Sequence, residues 1–390
     1  MKYKLIQAIG AGLAATTVGA LAGDFSDTTT SVVEQSSGGS GNWCESIGDL
    51  GTVYKSKDNP WIQEVKFFGR AHQQWGYTDG SDNGNDFSGH GDELRRLRFG
   101  TSVKFLNGFK VLARANFEDG GFRHTHIDYD GFDELYLDYT FGNLGVAEDF
   151  TLGYGRYKLG FGGEEFESSK KIKTIERSLL NNTYAGDRVT GARSTFSINS
   201  VDYTLGVFTS DSDPETFGTW DGGVFYHLGA QFGGFNLQGI FNDSDEVQDE
   251  VLGYEWAVSL TYETEVGRFD LFTNATYGED HDGNAVYGVV IMPSTELIED
   301  KLEAVFRYQW AHSDDDGVLR PQSRNVRNVA SRDGVNLPRG DNNHNLYAGL
   351  NYFICEHYAK AMLGVEYEIN EGDFADTDAT TVWGALRFYF

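Results

Sequence analysis

The chain has 390 residues and a formal net charge of −28, and 39% of its residues are hydrophobic and 14% aromatic. This hydrophobic content excludes a disordered chain, and the acidic balance excludes binding to a nucleic-acid backbone through net charge. The 28 Phe, 21 Tyr and 7 Trp, against only 3 Met, favour an all-β protein over a helical bundle.

The amino terminus has the features of a secretory signal peptide. Residues 1–22 begin with Lys2 and Lys4, continue through an apolar stretch and end in the small-x-small pattern Ala20-Leu21-Ala22. A membrane anchor is the alternative, but Gly and Thr residues interrupt the apolar stretch. Residues 23–64 follow with a run rich in Thr, Ser and Gly, which predicts a flexible periplasmic lead-in segment.

From residue 65 onward, segments of about ten residues alternate apolar and polar side chains, a period typical of strands with one oily and one polar face. In residues 97–105, for example, Leu97, Phe99 and Val103 alternate with polar side chains. Sixteen such segments are predicted: 65–77, 94–105, 109–117, 132–141, 150–158, 188–198, 201–209, 221–232, 235–242, 254–262, 268–277, 285–292, 301–311, 344–354, 358–368 and 380–390.

The connections between these segments alternate in length, as they do in outer-membrane barrels. Two-residue or similarly short turns, such as Asn199-Ser200, separate long polar connections predicted at 78–93, 118–131, 159–187, 210–220, 312–343 and 369–379. Aromatic residues lie near the segment ends, where girdles would meet both membrane interfaces. These residues include Trp75, Tyr77, Tyr254, Trp256, Tyr262, Tyr277, Tyr308, Trp310, Phe388 and the carboxy-terminal Phe390.

Because unpaired backbone groups are costly in hydrocarbon, a membrane sheet must close on itself. The predicted fold is therefore an all-β, 16-stranded antiparallel transmembrane β-barrel over residues 65–390, with short periplasmic turns and long extracellular loops. Its predicted location is the bacterial outer membrane, and sixteen strands leave a water-filled lumen. A soluble all-β protein is the alternative.

Basic residues in the first third of the barrel fall on the polar face of their strands. By strand parity these side chains point away from lipid and are candidates for lining the pore and binding anions: Arg70, Arg96, Arg98, Lys104, Lys110 and Arg114. The alternative is that they pair with lumenal carboxylates such as Glu134 and Asp138 and only stiffen the barrel.

The connection 159–187 combines basic residues with an apolar set that a polar surface loop does not need. The apolar residues are Ile172, Ile175, Leu179 and Leu180, and the basic ones are Lys170, Lys171, Lys173 and Arg177. We expect this third loop to fold into the lumen, with a short helix, and to present its cations there. Capping of the mouth, or contact with a neighbouring subunit, is the alternative.

The segments FDELYLDYTFG, LGYGRYKLGFGGEEFESSKKIKTIERSL and DRVTGARSTF, within residues 132–193, resemble the phosphate-selective porin O and P family. The resemblance extends over about residues 65–390. It implies a homotrimeric outer-membrane porin whose third loop narrows the channel, with an arginine ladder that Arg96, Arg98 and Arg114 match and a lysine cluster on that loop. The sequence departs from this pattern in its acidic remainder, which could weaken or invert a preference for phosphate and related anions.

No nucleophile elbow, zinc-protease motif or phosphate-binding loop occurs, so we expect no enzyme activity, no cofactor and no metal site. His124 and His126 alternate but lack a third ligand nearby in sequence.

Cys44 and Cys355 should both lie on the periplasmic side, and we predict a disulfide that tethers the lead-in to the barrel. The expected function is passive diffusion of small hydrophilic solutes with a preference for anions. A general or cation-preferring porin and a structural or adhesive surface barrel are the alternatives.

Overall fold

The computed structural model describes residues 44, 47–48, 50–117, 127–184, 188–210, 220, 223–243 and 254–390. Within them, sixteen antiparallel strands form one closed barrel, in which each strand pairs with its neighbours in sequence and the last pairs with the first. A short additional strand, β1 (Thr52–Lys55), precedes them. The barrel strands are β2 (Ile62–Asp82), β3 (Asn85–Phe105), β4 (Phe109–Asn116), β5 (Phe132–Leu144), β6 (Ala147–Lys158), β7 (Arg188–Ile198), β8 (Val201–Thr209), β9 (Val224–Phe232), β10 (Phe235–Asn242), β11 (Tyr254–Val266), β12 (Phe269–Asp280), β13 (Ala285–Ile298), β14 (Leu302–Ser313), β15 (Asn342–Cys355), β16 (Ala359–Glu371) and β17 (Asp376–Tyr389).

The predicted alternation is confirmed along the strands. On β17, Val382, Leu386 and Phe388 are exposed on the outer face, whereas Trp383 and Arg387 between them are buried in the lumen. This arrangement puts an apolar surface outside and the polar side chains inside, as a strand crossing a bilayer requires.

Aromatic rings form two belts on the outer face. At the long-loop end, the rings of Trp256 and Tyr277 lie 5.4 Å apart and those of Tyr277 and Tyr287 5.8 Å apart. At the short-turn end, the rings of Phe235 and Tyr262 lie 4.3 Å apart. Tyr254 was predicted for the outer belt, but a register shift between Tyr254 and Trp256 turns its ring into the lumen, where it is buried.

The connection predicted at 78–93 is wrong. Strands β2 and β3 are each 21 residues long and meet at the two-residue turn Asn83-Gly84, so this stretch continues the hairpin, and β17 pairs with β2 as far as Asp82. Its Asp, Asn and Gly residues suggested a loop, but backbone pairing overrides their weak strand propensity. The connection predicted at 369–379 is likewise shorter, because β16 ends at Glu371 and β17 begins at Asp376.

The lead-in segment runs along the short-turn rim of the barrel. Strand β1 pairs antiparallel with residues 64–66 of β2, and the Phe67 N–H donates to the Gly51 carbonyl at 2.7 Å. The Cα atoms of Cys44 and Cys355 lie 5.2 Å apart, and their sulfur atoms are joined. Part of the predicted flexible segment is thus paired with the barrel, whereas the predicted signal peptide lies outside the described residues.

Two connections fold into the lumen. They are L3 (residues 159–187, described to 184) and L7 (residues 314–341). L3 contains the short helices α1 (Gly163–Phe166) and α2 (Leu179–Tyr184), and L7 contains α3 (Arg324–Arg332). Leu180 and Tyr184 of α2 are buried in an apolar cluster with lumenal residues of β7 to β14, and a Cβ on Gly288 would lie 2.8 Å from Leu180. None of the helices in the described residues has the length and apolarity needed to cross a membrane.

Candidate functional site in the lumen

Three adjacent strands bring four basic side chains together in the lumen. Cross-strand pairing places His72 of β2 opposite Arg96 of β3 on one side and opposite Arg387 of β17 on the other. Arg70 lies two residues from His72 on the same face of β2. All four side chains are buried, with exposed fractions between 2% and 7%. Arg70, His72, Arg96 and Arg387 are called the basic cluster below.

No carboxylate is in direct contact with the basic cluster in the described residues, and the nearest ones are Asp133 and Glu134, which act on Arg70, and Glu176, which acts on Arg387. The charged groups that act most strongly on His72 are four arginines, and neither of its ring nitrogens has a hydrogen-bond partner in the described structure. Arg96 is influenced by three arginines and one carboxylate, that of Glu176. Unneutralised N–H donors of this kind are suited to a small anion, because hydrogen bonds between guanidinium and an oxyanion are among the strongest.

L3 reaches the basic cluster through Ser169. The Arg70 Nη1 atom donates to the Ser169 hydroxyl at 2.6 Å, and the Arg387 Nη1 atom donates to the Ser169 carbonyl at 3.1 Å. Arg387 also donates to the Thr174 carbonyl at 3.4 Å. Both arginines therefore hold the loop, while their partners are neutral oxygens that leave the positive charge in place.

A second group of arginines surrounds Asp133 of β5. The Asp133 Oδ1 atom lies 3.1 Å from Arg98 Nη1 and 2.7 Å from Arg188 Nη2, and its Oδ2 atom accepts from Arg114. Arg114 also pairs with Glu134. The Asp133 side chain is 2% exposed, so these charges are paired in a largely dehydrated part of the wall.

The basic residues predicted on L3 differ in their surroundings. Lys173 pairs with Asp270 and Glu303, each at 3.1 Å, and Arg177 pairs with Glu165 at 2.9 Å. Lys170 lies 4.7 Å above the centre of the Tyr389 ring, and Lys171 is exposed.

The two predicted strand lysines near the short-turn end also have neighbours. The Lys104 ammonium lies 3.4 Å from Glu64, and the Lys110 ammonium lies 5.7 Å from the centre of the Tyr136 ring. Both belong to the lumenal wall but are more hydrated than the basic cluster.

Carboxylates hold L3 across the lumen. The Glu165 carboxylate lies 3.0 Å from Lys158 in addition to its contact with Arg177. Burial by itself would raise the pKa of Glu165, but the two cations outweigh burial and bring the pKa to about 2. Arg307 of β14, fully buried, contacts Glu164 at 3.3 Å and the Glu176 carbonyl at 2.7 Å. The loop is thus fixed by buried charge pairs on both of its arms.

The predicted basic residues of the wall have two kinds of surroundings. Arg98, Lys104, Arg114, Lys173 and Arg177 are in ion pairs. Arg70 and Arg96 are in the basic cluster, where the described residues provide no carboxylate partner in direct contact. Strand parity could have identified His72 and Arg387, which share the polar face of their strands. It could not have identified Asp133, which a register shift between Arg114 and Ala115 brings to the lumenal wall beside Glu134, nor Arg188, which adjoins the lumenal Val189.

The described residues contain no group of three or more His, Cys, Asp or Glu side chains arranged to hold a metal ion. His124 and His126 lie outside the described residues.

Comparison with known proteins agrees with this architecture. The model of the family "Phosphate-selective porin O and P" matches residues 65–263, just over half of the chain. A search of curated protein sequences finds no significant match.

Solved structures of outer-membrane barrels share the fold at low sequence identity. The outer-membrane channel DcaP of Acinetobacter baumannii aligns with a TM-score of 0.54 and 13% identity, over 86% of this chain and 99% of that one. OprB of Pseudomonas putida gives 0.54 and 13%, over 84% and 94%. The anion-selective porin from Comamonas acidovorans gives 0.52 and 13%, over 84% and 99%.

The closed barrel with an apolar exterior, its two aromatic belts and the family match locate the chain in the bacterial outer membrane, with its short turns on the periplasmic side. The barrel, the lumenal third loop and the sequence match over half the chain lead to one assignment. The chain belongs to the phosphate-selective porin O and P family.

Proposed function

We propose that this porin carries small hydrophilic solutes by passive diffusion and prefers anions, phosphate or related oxyanions among them. The observation that carries the proposal is the basic cluster, in which three arginines and a histidine with two unpartnered ring nitrogens share one buried face of the lumen. Rings and clusters of Arg in pores favour anions because they replace part of the lost hydration of the ion. The family name and the anion-selective Comamonas porin support the same preference.

The second candidate is a cation-preferring channel, which the net charge of −28 favours. Acidic loops at the mouths raise the local concentration of cations before selection in the lumen begins. An ion therefore meets the acidic mouth first and the basic lumen second, and the two act on it with opposite sign. The lumen should dominate selectivity, because there the wall is closest to the ion.

The test is single-channel recording in a planar bilayer with a salt gradient. Stepwise conductance separates a porin from an adhesive surface barrel, and the sign of the reversal potential separates anion from cation preference. Addition of phosphate to a chloride solution should reduce chloride current if oxyanions bind the basic cluster. A cation-selective reversal potential in the wild type would overturn the preference for anions.

The residue-level test is Arg96→Gln, because Arg96 contributes charge to the basic cluster without holding L3. We expect the anion-to-cation permeability ratio to fall and phosphate to compete less well with chloride. Lys57→Gln, which removes the same charge from an exposed position in the lead-in segment, is the matched control. An equal effect of both substitutions would show that net charge alone, and not the cluster, sets the preference.

We further propose that the barrel assembles as a homotrimer in outer-membrane lipid, as the family resemblance implies. The expected result is a particle of three chains after detergent extraction, measured by light scattering with correction for bound detergent. A monomer under these conditions would count against this assembly.

A further inference from the structure

L7 is docked inside the extracellular mouth. Helix α3 places Val326, Val329 and Ala330, all fully buried, against Phe87 of the β2–β3 hairpin and Ala379 of β17. A Cβ on Gly76 would lie 2.8 Å from Asn325, so a glycine at this point of the wall leaves room for the helix. The loop therefore occupies part of the path by which a solute enters from outside.

Polar contacts hold L7 to the wall and to L3. The Asn325 side-chain amide donates to the Thr78 hydroxyl at 2.8 Å, and the Ser323 N–H donates to the Glu368 carboxylate at 2.9 Å. The Gln322 side-chain amide donates to the carbonyl of Arg177 on L3 at 2.6 Å. The two lumenal loops are thus in direct contact.

One contact of L7 changes the charge of the entrance. Arg324 forms a two-point ion pair with Glu93 of β3, with its Nε atom 3.3 Å from one carboxylate oxygen and its Nη2 atom on the other. The Glu93 side chain is 0% exposed. In the described part of the chain, Arg324 is the cation that pairs with Glu93.

Glu93 belongs to a chain of contacts just outside the basic cluster. The Gln74 side-chain amide donates to Glu93 at 3.0 Å and to Glu176 of L3 at 2.6 Å, and Arg95 pairs with Glu176 at 3.1 Å. Gln74 lies opposite Glu93 and two residues beyond His72 toward the extracellular end of β2. A solute entering from outside therefore passes these two carboxylates before it reaches the basic cluster.

We propose that Arg324 is a specificity-determining residue and that docked L7 sets the charge preference of the channel by neutralising Glu93 at the entrance to the basic cluster. The inference rests on the proposed function, because it explains how the preference for anions persists although Glu93 and Glu176 lie on the way to the basic cluster. Loss of Arg324 leaves a buried carboxylate facing incoming anions. One uncompensated unit charge about 5 Å from the path, acting through water, changes the permeability of an anion roughly fourfold and that of a cation roughly fourfold in the opposite sense, so their ratio changes roughly sixteenfold.

The experiment compares reversal potentials of the wild type, Arg324→Gln, Glu93→Gln and the double variant in the same salt gradient. Arg324→Gln should lower the anion-to-cation ratio about sixteenfold by the same Coulomb estimate. The double variant should restore it, since the uncompensated carboxylate is gone. Arg339→Gln, which removes the same charge from an exposed position on the same loop, should have a smaller effect. Heat-modified migration on a gel verifies that each variant forms a barrel.

Val329→Asp gives an independent measurement, because a charge in the buried helix face should release L7 from the wall. We expect a larger single-channel conductance together with a lower anion-to-cation ratio. An Arg324→Gln channel that keeps the wild-type ratio, or a double variant that fails to restore it, would overturn the inference and leave the proposed function intact. A cation-selective wild type would overturn the proposed function, whereas a further shift toward cations in Arg324→Gln would still sustain the role of Arg324.

Discussion

Asp133→Asn separates the structural from the selective role of the paired arginines. The substitution keeps the shape of a side chain that is 2% exposed and removes the charge that Arg98, Arg114 and Arg188 share. If these arginines face the permeation path, neutralising Asp133 should strengthen the preference for anions. If they only stiffen the wall, stability should fall and selectivity should not change.

The magnitudes follow from the geometry. With contacts of 2.7 and 3.1 Å to two of the arginines, Asp133 is the hub of a buried network. Removing one partner of a buried ion pair costs about 3–5 kcal/mol, because the remaining charges stay buried without compensation. For a permeating anion about 5 Å away through water, one added positive charge contributes about 0.8 kcal/mol, or roughly a fourfold rise in its permeability, and the opposite effect on the cation makes the rise in the anion-to-cation ratio roughly sixteenfold.

The assays are the reversal potential in a salt gradient and the temperature at which the detergent-solubilised barrel loses its β-sheet signal in circular dichroism. Asp202→Asn, at an exposed position beside a short turn, is the matched control for the change in total charge. A folded Asp133→Asn channel with an unchanged reversal potential would refute the idea that this network faces the ion path. A destabilisation no greater than that of the control would refute the network's role in the wall.

Three further predictions concern what holds the loops and the lead-in segment. Because its cations bring the Glu165 pKa to about 2, below its ordinary 4.5, its stabilisation of L3 is complete above about pH 4.5 and is lost as the pH falls toward 2. Channel noise should therefore rise in that acidic window, and a flat response would contradict it. Arg307→Gln removes a fully buried contact to Glu164, so we expect a more mobile L3 and larger, fluctuating single-channel currents. Steady currents of wild-type size in this variant would contradict the role of Arg307 in holding L3. Cys44→Ser opens a loop of 311 residues, for which the chain-entropy account gives at most about 5–6 kcal/mol of stability, so the variant should unfold at a lower temperature than the wild type. Two free thiols in the unreduced wild type by mass spectrometry would remove the predicted disulfide.

The lumenal arrangement shows where strand parity stops being informative. Parity assigns Arg96 and Arg98 to the polar face, but the pairing shift between His72 and Gln73 leaves both Arg95 and Arg96 among lumenal contacts. Which arginine meets Asp133 and which meets only other cations depends on neighbours from strands and loops far apart in sequence. Similarly, the apolar residues of L3 predicted that this loop enters the lumen. The apolar residues of α3 predicted nothing of the kind for L7, because they alternate with several arginines.

The sequence alone identifies the chain as a sixteen-stranded outer-membrane barrel, from the period of two, the turn residues and the number of segments. This is possible because a bilayer allows few alternatives to a closed sheet with an apolar exterior. Tertiary structure alone decided the length of the β2–β3 hairpin, the docking of L7 and the partner of each lumenal charge. These features depend on contacts between residues up to hundreds of positions apart, such as Arg324 with Glu93 and Arg387 with Ser169. Away from register shifts such as those at Tyr254 and Arg95, a local pattern fixes which way a side chain points, whereas its electrostatic environment depends on the residues that the fold brings against it.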